Sequence, residues 1–276
     1  MREIAYYIDQ FIDIDDKVIP IQERGHQFGD GIYEVVRVYD GSPFLLNEHM
    51  DRLEKSAEGI ELQLPYSRAE IIRIIMDGIK RSEMKEAEVY FQVTRGISPR
   101  QHHYPDTSSI FSMTIRHARK MGEEKRKNGI SIMILEDERW KNCYIKSLNL
   151  LPNIMAKHKA VGNGCGEAVF EKEGIITEGS SSNIFAVKNN VLYTHPATKA
   201  ILHGITRAKV IQLAKENNII VKEEAFTVDF LKDADEAFIT GTTTEILPIA
   251  LVSQSRLPNQ RPISTLLIEL YKKQHN

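Results

Sequence analysis

The chain predicts an α+β architecture in two parts, and three observations carry that expectation. Strand-like and helix-like segments follow one another in mixed order rather than in regular βαβ alternation. A charged, glycine-punctuated run, "RKMGEEKRKNG" (119–129), breaks the pattern near the middle. The composition is that of a water-soluble globular protein, 42% hydrophobic and 27% charged over 276 residues, enough chain for two modest cores. The expected organisation is a smaller N-terminal α/β domain over 1–119, a linker over 120–129 and a larger C-terminal domain over 130–276.

In chain order, "IAYYID" and "FIDI" flank a short polar break and read as a hairpin. "GIYEVVRVYDG" (31–41) is a strand rich in Val and Tyr that closes on an Asp-Gly turn. "NEHMDRLEKSAEGI" reads as a helix capped by Asn47, with Met50, Leu53, Ala57 and Ile60 on one face. In "SRAEIIRIIMDGIKRS", Ser67 and Glu70 have the spacing of a capping box. "EVYFQVTRG", "IFSMTIRHA" and "ISIMILE" are strands. "SLNLLPNIMAKHKAVGNG" is a helix with Pro152 near its start. Two hairpins follow, with turns at Lys172–Gly174 and Lys188–Asn190. "GITRAKVIQLAKENN" is a helix, "EAFITGTTTEILPIALV" two strands about a Thr-rich loop, and "ISTLLIELYKKQ" a closing amphipathic helix.

Several function classes lose support at once. Lys plus Arg is 36 and Asp plus Glu is 38, so the formal charge is 36 − 38 = −2, too weak a field to gather nucleic acid or an anionic membrane. No apolar run approaches the roughly eighteen residues of a membrane span, and "MREIAYYIDQ" lacks the apolar core of a signal peptide. Cys143 and Cys165 have neither metal nor redox spacing, which suggests free thiols in a reducing cytoplasm. There is no G-x-G-x-x-G after a strand, no Walker lysine, no H-E-x-x-H and no G-x-S-x-G. Hydride transfer, nucleotide hydrolysis, zinc hydrolysis and esterase chemistry are therefore disfavoured, and no metal is expected.

Five stretches carry chemistry when taken together, although each alone has an ordinary structural explanation. In "CYIKSLNLLPN", Lys146 stands between a strand-like and a helix-like run. Such a lysine is either a solvated strand-end residue or a desolvated amine able to form a Schiff base. In "GIITEGSSSNIF", Glu178 precedes a turn of small residues. It is either a solvated turn acid or a carboxylate able to hold a pyridine nitrogen. "LHGITRAKV" opens a helix at Gly204, Ile205 and Thr206, whose free N–H groups suit a phosphate. "ITGTTTEI" offers small donors about Gly241 and Thr242 for the other side of a phosphate. "TRGISPRQHHYP" places Arg100 and His102 in one loop, a guanidinium and an imidazole suited to gripping a carboxylate.

The joint occurrence of "ERGHQFGDGIYEVVRVYDG", "YFQVTRGISPRQHHYP", "IKSLNLL", "TEGSSSNIF" and "YTHPATKAILHGITR" resembles the fold-type IV pyridoxal-phosphate enzymes, the bacterial D-amino-acid aminotransferases above all. The resemblance spans almost the whole chain. It implies a two-domain α+β fold with a pseudo-barrel in the larger domain and an active site between the domains. It also implies pyridoxal 5'-phosphate bonded to Lys146 as a Schiff base, and ping-pong transfer of an amino group between D-amino acids, D-alanine and D-glutamate among them, and 2-oxo acids. Glu178 would meet the pyridine nitrogen. Arg52, Ile205, Thr206, Gly241 and Thr242 would hold the phosphate, and Leu202 would pack on the ring. Tyr33, Arg100 and His102 would trap the substrate carboxylate, the last two reaching in from the other subunit of a homodimer. Two departures stand out. Gly241–Thr242 replaces a Ser-Thr pair and is similar to branched-chain L-amino-acid aminotransferases, the alternative within the fold. Arg37 stands where a lysine is familiar. An (R)-amine transaminase, an aminodeoxychorismate lyase and a catalytically silent binder are the remaining rivals.

Overall fold

A computed structural model describes residues 2–275. The chain divides into two units, one built from residues up to Arg119 together with Ile145–Asn149, the other from Lys120–Tyr144 together with residues from Leu150 onward. The short segment 145–149 thus packs with the unit that precedes it in sequence.

The first unit holds β1 (Ile4–Tyr7), β2 (Gln10–Ile12), α1 (Arg24–Phe28), β3 (Gly31–Tyr39), β4 (Ser42–Pro43), α2 (Leu46–Gly59), α3 (Arg68–Ser82), β5 (Ala87–Thr94) and β6 (Ile110–His117). Its sheet runs β2-β1-β6-β5-β3-β4 and every pairing in it is antiparallel. The β3 and β5 registers explain the alternation in the sequence. Ile32, Val36, Val89, Phe91 and Val93 are fully buried, while Tyr33, Val35, Tyr90 and Gln92 are half-exposed. Asp40 and Gly41 both take positive φ, so the Asp-Gly turn closes β3 onto β4 as expected.

The helix starts show what short-range signals can resolve. The capping box at Ser67 and Glu70 forms, with each residue's side chain meeting the other's backbone N–H. Asn47, by contrast, is not a cap. The helix begins two residues earlier than that cap would allow, at Leu46, and its cap, Leu45, is left-handed and makes no side-chain cap bond. The one-and-a-half-turn α1 was not expected. It is set by Glu23, whose Oε2 accepts from His26 N at 2.7 Å, and ends on Gly29 at φ +66.

The second unit holds α4 (Glu123–Asn128), β7 (Ile130–Glu136), α5 (Leu151–Gly162), β8 (Glu167–Lys172), β9 (Ile175–Gly179), β10 (Asn183–Lys188), β11 (Val191–Thr194), α6 (Ile205–Glu216), β12 (Ile220–Lys222), α7 (Val228–Lys232), β13 (Glu236–Gly241), β14 (Glu245–Val252), β15 (Ser255–Arg256) and α8 (Pro262–Lys272). Its sheet runs β12-β11-β10-β13-β14-β7-β8-β9, with β15 paired to β14. Both predicted hairpins form, and their tips sit at positive φ on Glu173–Gly174 and Asn189–Asn190. Three pairings are parallel, β14–β7, β7–β8 and β11–β12. The core gathers Ile132, Val169, Ile176, Ile184, Ile239, Leu247 and Ile249. Ala156 and Ala160 of α5 pack with Ala168 and Phe170 of β8 in a smaller cluster.

Replacing Ser67 by alanine should lower stability by about 1 kcal/mol, seen as an earlier denaturant midpoint, and an unchanged midpoint would show that the box contributes nothing to α3.

Candidate active site

Lys146 lies in the irregular stretch between β7 and α5, not at a strand end as the apolar "CYI" suggested. Residues 143–145 form a turn and a bend, because only Ser147 finds a bridge partner, Ile32. The backbone of Lys146 is nevertheless fixed on both sides. Its N–H donates to Ser56 Oγ at 3.1 Å, and its carbonyl accepts from Tyr33 N at 3.0 Å. Its Nζ sits 4.2 Å from the centroid of the Tyr33 ring, in cation–π contact. The main chain is held while the amine is carried on a flexible stem.

Three residues of α2, His49, Arg52 and Ser56, follow at helical spacing on one buried face. Glu34 of β3, a fully buried carboxylate, meets the first two. Arg52 grips it with two bonds, Nε to Oε1 at 2.7 Å and Nη2 to Oε2 at 2.8 Å. His49 Nδ1 lies 2.7 Å from Oε2. Burial alone would raise the Glu34 pKa, but the Arg52 guanidinium and then His49 outweigh it and hold the carboxyl at about 2. Burial lowers the His49 pKa against the pull of Glu34, and the Arg52 and Lys146 cations add to that lowering. A neutral His49 therefore places its proton on Nδ1 and donates to Glu34. Arg52, predicted from sequence, is thus fixed by Glu34, with His49 beside it, two residues that sequence reasoning did not single out.

Arg100 and His102 are exposed in the loop between β5 and β6. Both rest on Phe28 of α1. The Arg100 guanidinium is 4.2 Å from the ring centroid, and the His102 ring meets it edge-on at 5.9 Å. Tyr33 lies on β3 beside Tyr90, ring to ring at 5.7 Å.

In the second unit Glu178 is the penultimate residue of β9 and is buried. Its Oε1 accepts from Arg139 Nη1 at 2.6 Å and Leu202 N at 3.0 Å. Its Oε2 accepts from Asn183 Nδ2 at 2.9 Å and Leu202 N at 3.1 Å. Burial pushes its pKa up to about 7 in spite of Arg139 and the Leu202 N–H, which pull it down. A cationic N–H brought beside this carboxylate would restore its charge, so the site fits a protonated pyridine nitrogen. Leu202, predicted to pack on a ring, reaches Glu178 through its own backbone.

Asn183 joins this carboxylate to the start of α6. Its Nδ2 also donates to Leu202 O at 2.9 Å. A Cβ on Gly204 would lie 1.9 Å from Asn183 Oδ1, so only glycine fits there. Gly204 caps α6 without a side-chain bond, and Ile205 and Thr206 follow, both buried. A helix start of this kind presents backbone N–H groups to an anion. Thr240, opposite Asn183 in the β10–β13 register, has a buried hydroxyl with no partner among the described residues. Gly241 and Thr242 follow it, half-buried, at the β13–β14 turn. Glu34, His49, Arg139 and Asn183 were missed because their roles come from partners 15 to 39 residues away or, for Asn183, from a turn read as small-residue filler.

Residues 31–252 match the family model described as amino-transferase class IV. The chain belongs to that family. Among its relatives are the D-alanine aminotransferase of Bacillus licheniformis, 43% identical over 246 residues (88% of this chain and 86% of that protein), and that of Staphylococcus haemolyticus, 38% identical over 268 residues (96% and 95%). Among solved structures, a branched-chain amino acid aminotransferase of Escherichia coli matches the class IV fold seen here with a TM-score of 0.93 at 25% identity, covering 100% of this chain and 95% of that one. The branched-chain aminotransferase of the archaeon Thermoproteus uzoniensis, solved with norvaline, gives a TM-score of 0.89 at 25% identity, covering 98% and 93%.

The raised pKa of Glu178 has a stability consequence. The folded carboxyl binds its proton up to about pH 7, the unfolded one only to about 4.5, so stability falls as pH rises from 4.5 to 7. In the cofactor-free protein, Glu178→Gln should remove that decline, worth on the order of 3 kcal/mol. Parallel melting curves for the two proteins across this range would refute it.

Proposed function

We propose that this chain is a pyridoxal-phosphate-dependent D-amino-acid aminotransferase, moving amino groups between D-amino acids such as D-alanine and D-glutamate and 2-oxo acids. The carrying observation is the buried Glu178 with its ring of N–H donors, found in a chain 38–43% identical to D-alanine aminotransferases. When bound, pyridoxal phosphate supplies an electron sink for the pair left behind when the substrate's α-proton departs.

The protein's own groups supply the rest. Lys146 would supply the amine that bonds to the cofactor; once the incoming substrate amine has displaced it, the free Nζ would take the proton from the substrate α-carbon and later return one. The fixed backbone on either side of Lys146 limits where that amine can travel. Glu178 would meet the pyridine nitrogen and keep it protonated. Arg52 and the backbone at Ile205, Thr206, Gly241 and Thr242 would hold the phosphate, and Leu202 would pack on the ring. Tyr33, with Arg100 and His102 from a second copy, binds the substrate carboxylate. Arg100 and His102 are exposed in the structure, and α5 presents Leu151, Ile154, Met155 and Val161 to solvent, an apolar face suited to association. A homodimer is therefore part of the proposal, as is a cytoplasmic location. No helix among the described residues is long and apolar enough to cross a membrane.

One observation favours a second reading. Gly241–Thr242 is similar to branched-chain enzymes, and the fold matches one of them closely. The two readings separate in a half-reaction without acceptor. D-Alanine should convert the cofactor absorbance of the purified protein to that of its amino form, and L-leucine should not; the reverse pattern would assign the L-branched-chain activity. Lys146→Ala should abolish turnover with the fold intact by circular dichroism, and a variant at wild-type rate would remove the lysine from the reaction. Arg100→Ala should cost about 2–4 kcal/mol of transition-state binding in kcat/KM for D-alanine, and unchanged kinetics would take the guanidinium out of the carboxylate site.

A further inference from the structure

Glu178 carries a charge that its neighbours must set. The structure places two more buried ionic groups behind it. Arg139, on the segment leaving β7, gives Nη1 to Glu178 Oε1 at 2.6 Å. It turns the rest of its fork on Asp137, with Nε to Oδ1 at 2.9 Å and Nη2 to Oδ2 at 2.8 Å. The guanidinium lies 4.4 Å from the centroid of Phe170, and Nη2 also reaches Ala200 O at 3.4 Å. Asp137 is held in turn by Thr177 Oγ1 at 2.9 Å, from the residue next to Glu178. Arg139 and Asp137 side chains are 5% and 8% exposed, so solvent screens this trio weakly.

We infer that Asp137 and Arg139 form a positioning pair that sets the protonation of Glu178, Arg139 favouring its ionised form and Asp137 limiting that pull, so that Glu178 takes up its full negative charge when a cationic ring is beside it. This rests on the aminotransferase reading. The charge count is the core of it. With Asp137 and Glu178 ionised, the trio carries 1 − 2 = −1. Without Asp137, Arg139 and Glu178 would form a neutral pair, and a pyridinium would compete with the guanidinium for the carboxylate. Without Arg139, a buried Glu178 beside an anionic Asp137 would take a proton and lose its charge. Among the described residues, Cys143 also interacts with Glu178, and its thiol is pushed up to about 11 by burial and stays neutral. Asn183 and the Leu202 N–H are the other groups that meet Glu178, and neither titrates.

The pair predicts opposite shifts from two substitutions, which a merely structural role would not produce. The titration of Glu178 is followed by carbon NMR of the side-chain carboxyls in cofactor-free protein, with Glu178→Gln identifying the signal. Arg139→Met should move that titration up in pH, and Asp137→Asn should move it down, each by at least about one unit. Arg139→Lys should restore part of the wild-type value. In the cofactor-loaded enzyme the pH limb of the D-alanine half-reaction should move in the same two directions. Should Arg139→Met fail to fold, Asp137→Asn and Arg139→Lys still decide the matter. Titrations that stay where the wild type has them, or that move in the same direction, overturn the inference. If wild-type protein neither binds pyridoxal phosphate nor reacts with D-alanine, the functional reading fails instead, while the NMR shifts still report on the pair.

Discussion

A carboxylate taken out of water must be given donors or a proton, and Glu178 is where this constraint falls hardest. The surrounding chain is arranged to supply donors. Asn183 opens β10 and turns its amide nitrogen onto Glu178 and Leu202 O together. Its amide oxygen then occupies the space that any side chain at Gly204 would need. The approach to α6 is fixed as a result, and Leu202 presents its N–H to both oxygens of the same carboxylate. The buried acid, the segment before α6 and the uncapped helix start are one hydrogen-bonded assembly rather than three neighbouring features. The adjoining turn is secured separately by a second buried acid, Glu167. It accepts from the hydroxyls of Ser180, Ser181 and Ser182 and from Lys157. Those serines, which look like turn filler in the sequence, are therefore structural donors.

The first unit meets the same constraint with the opposite result. Glu34 is as deeply buried as Glu178, yet its carboxyl sits at about 2 while that of Glu178 sits at about 7. Burial pushes both upward. The difference lies in the cations. Arg52 gives Glu34 a two-pronged bond, with His49 adding a donor. Arg139 gives Glu178 one prong and commits two to Asp137. A guanidinium that grips both carboxylate oxygens fixes a permanent anion, which in turn holds Arg52 in place. A shared one leaves an acid whose charge responds to its surroundings, which is the property the proposed role of Glu178 beside a cofactor would need.

The fold was legible where its determinants are local. Period-two burial on β3 and β5, the Ser67 box and the three hairpin tips with positive φ are all readable within a window of a few residues. What escaped was set by distance along the chain or by competing geometry. Asn47 carries a good capping side chain, but the tight return from β4 puts the helix entry at Leu45. "CYI" has strand composition and no strand beside it to pair with. The candidate site divides in the same way. Lys146 and Glu178 stand out as residue types in unusual settings. Arg139 and Asp137 in "LEDERW" look like solvated charges, and only a partner 39 residues further on reveals them as buried. Glu34 sits in an apolar strand where its charge is unexplained until α2 brings Arg52 and His49 across it.

The departure at Gly241 raises the question of which substrate is served, and the structure weakens its force. Gly204 is required, since any Cβ would collide with Asn183. Gly241 is not. A Cβ there would meet Ser181 O at 3.4 Å, an ordinary contact, and its backbone needs no positive φ. The glycine is therefore not a mark of a differently shaped loop. It removes one hydroxyl from a turn that keeps Thr242 and the unpartnered hydroxyl of Thr240. A missing donor near a phosphate alters how tightly a cofactor is held, whereas the choice between enantiomers depends on which groups face the substrate carboxylate. Arg100 and His102, which rest together on Phe28 in one exposed loop, are the groups proposed for that second role. On the proposed assignments, the similarity of Gly241–Thr242 to branched-chain enzymes would concern the cofactor's phosphate end, and would leave the D-amino-acid reading resting on Tyr33, Arg100 and His102.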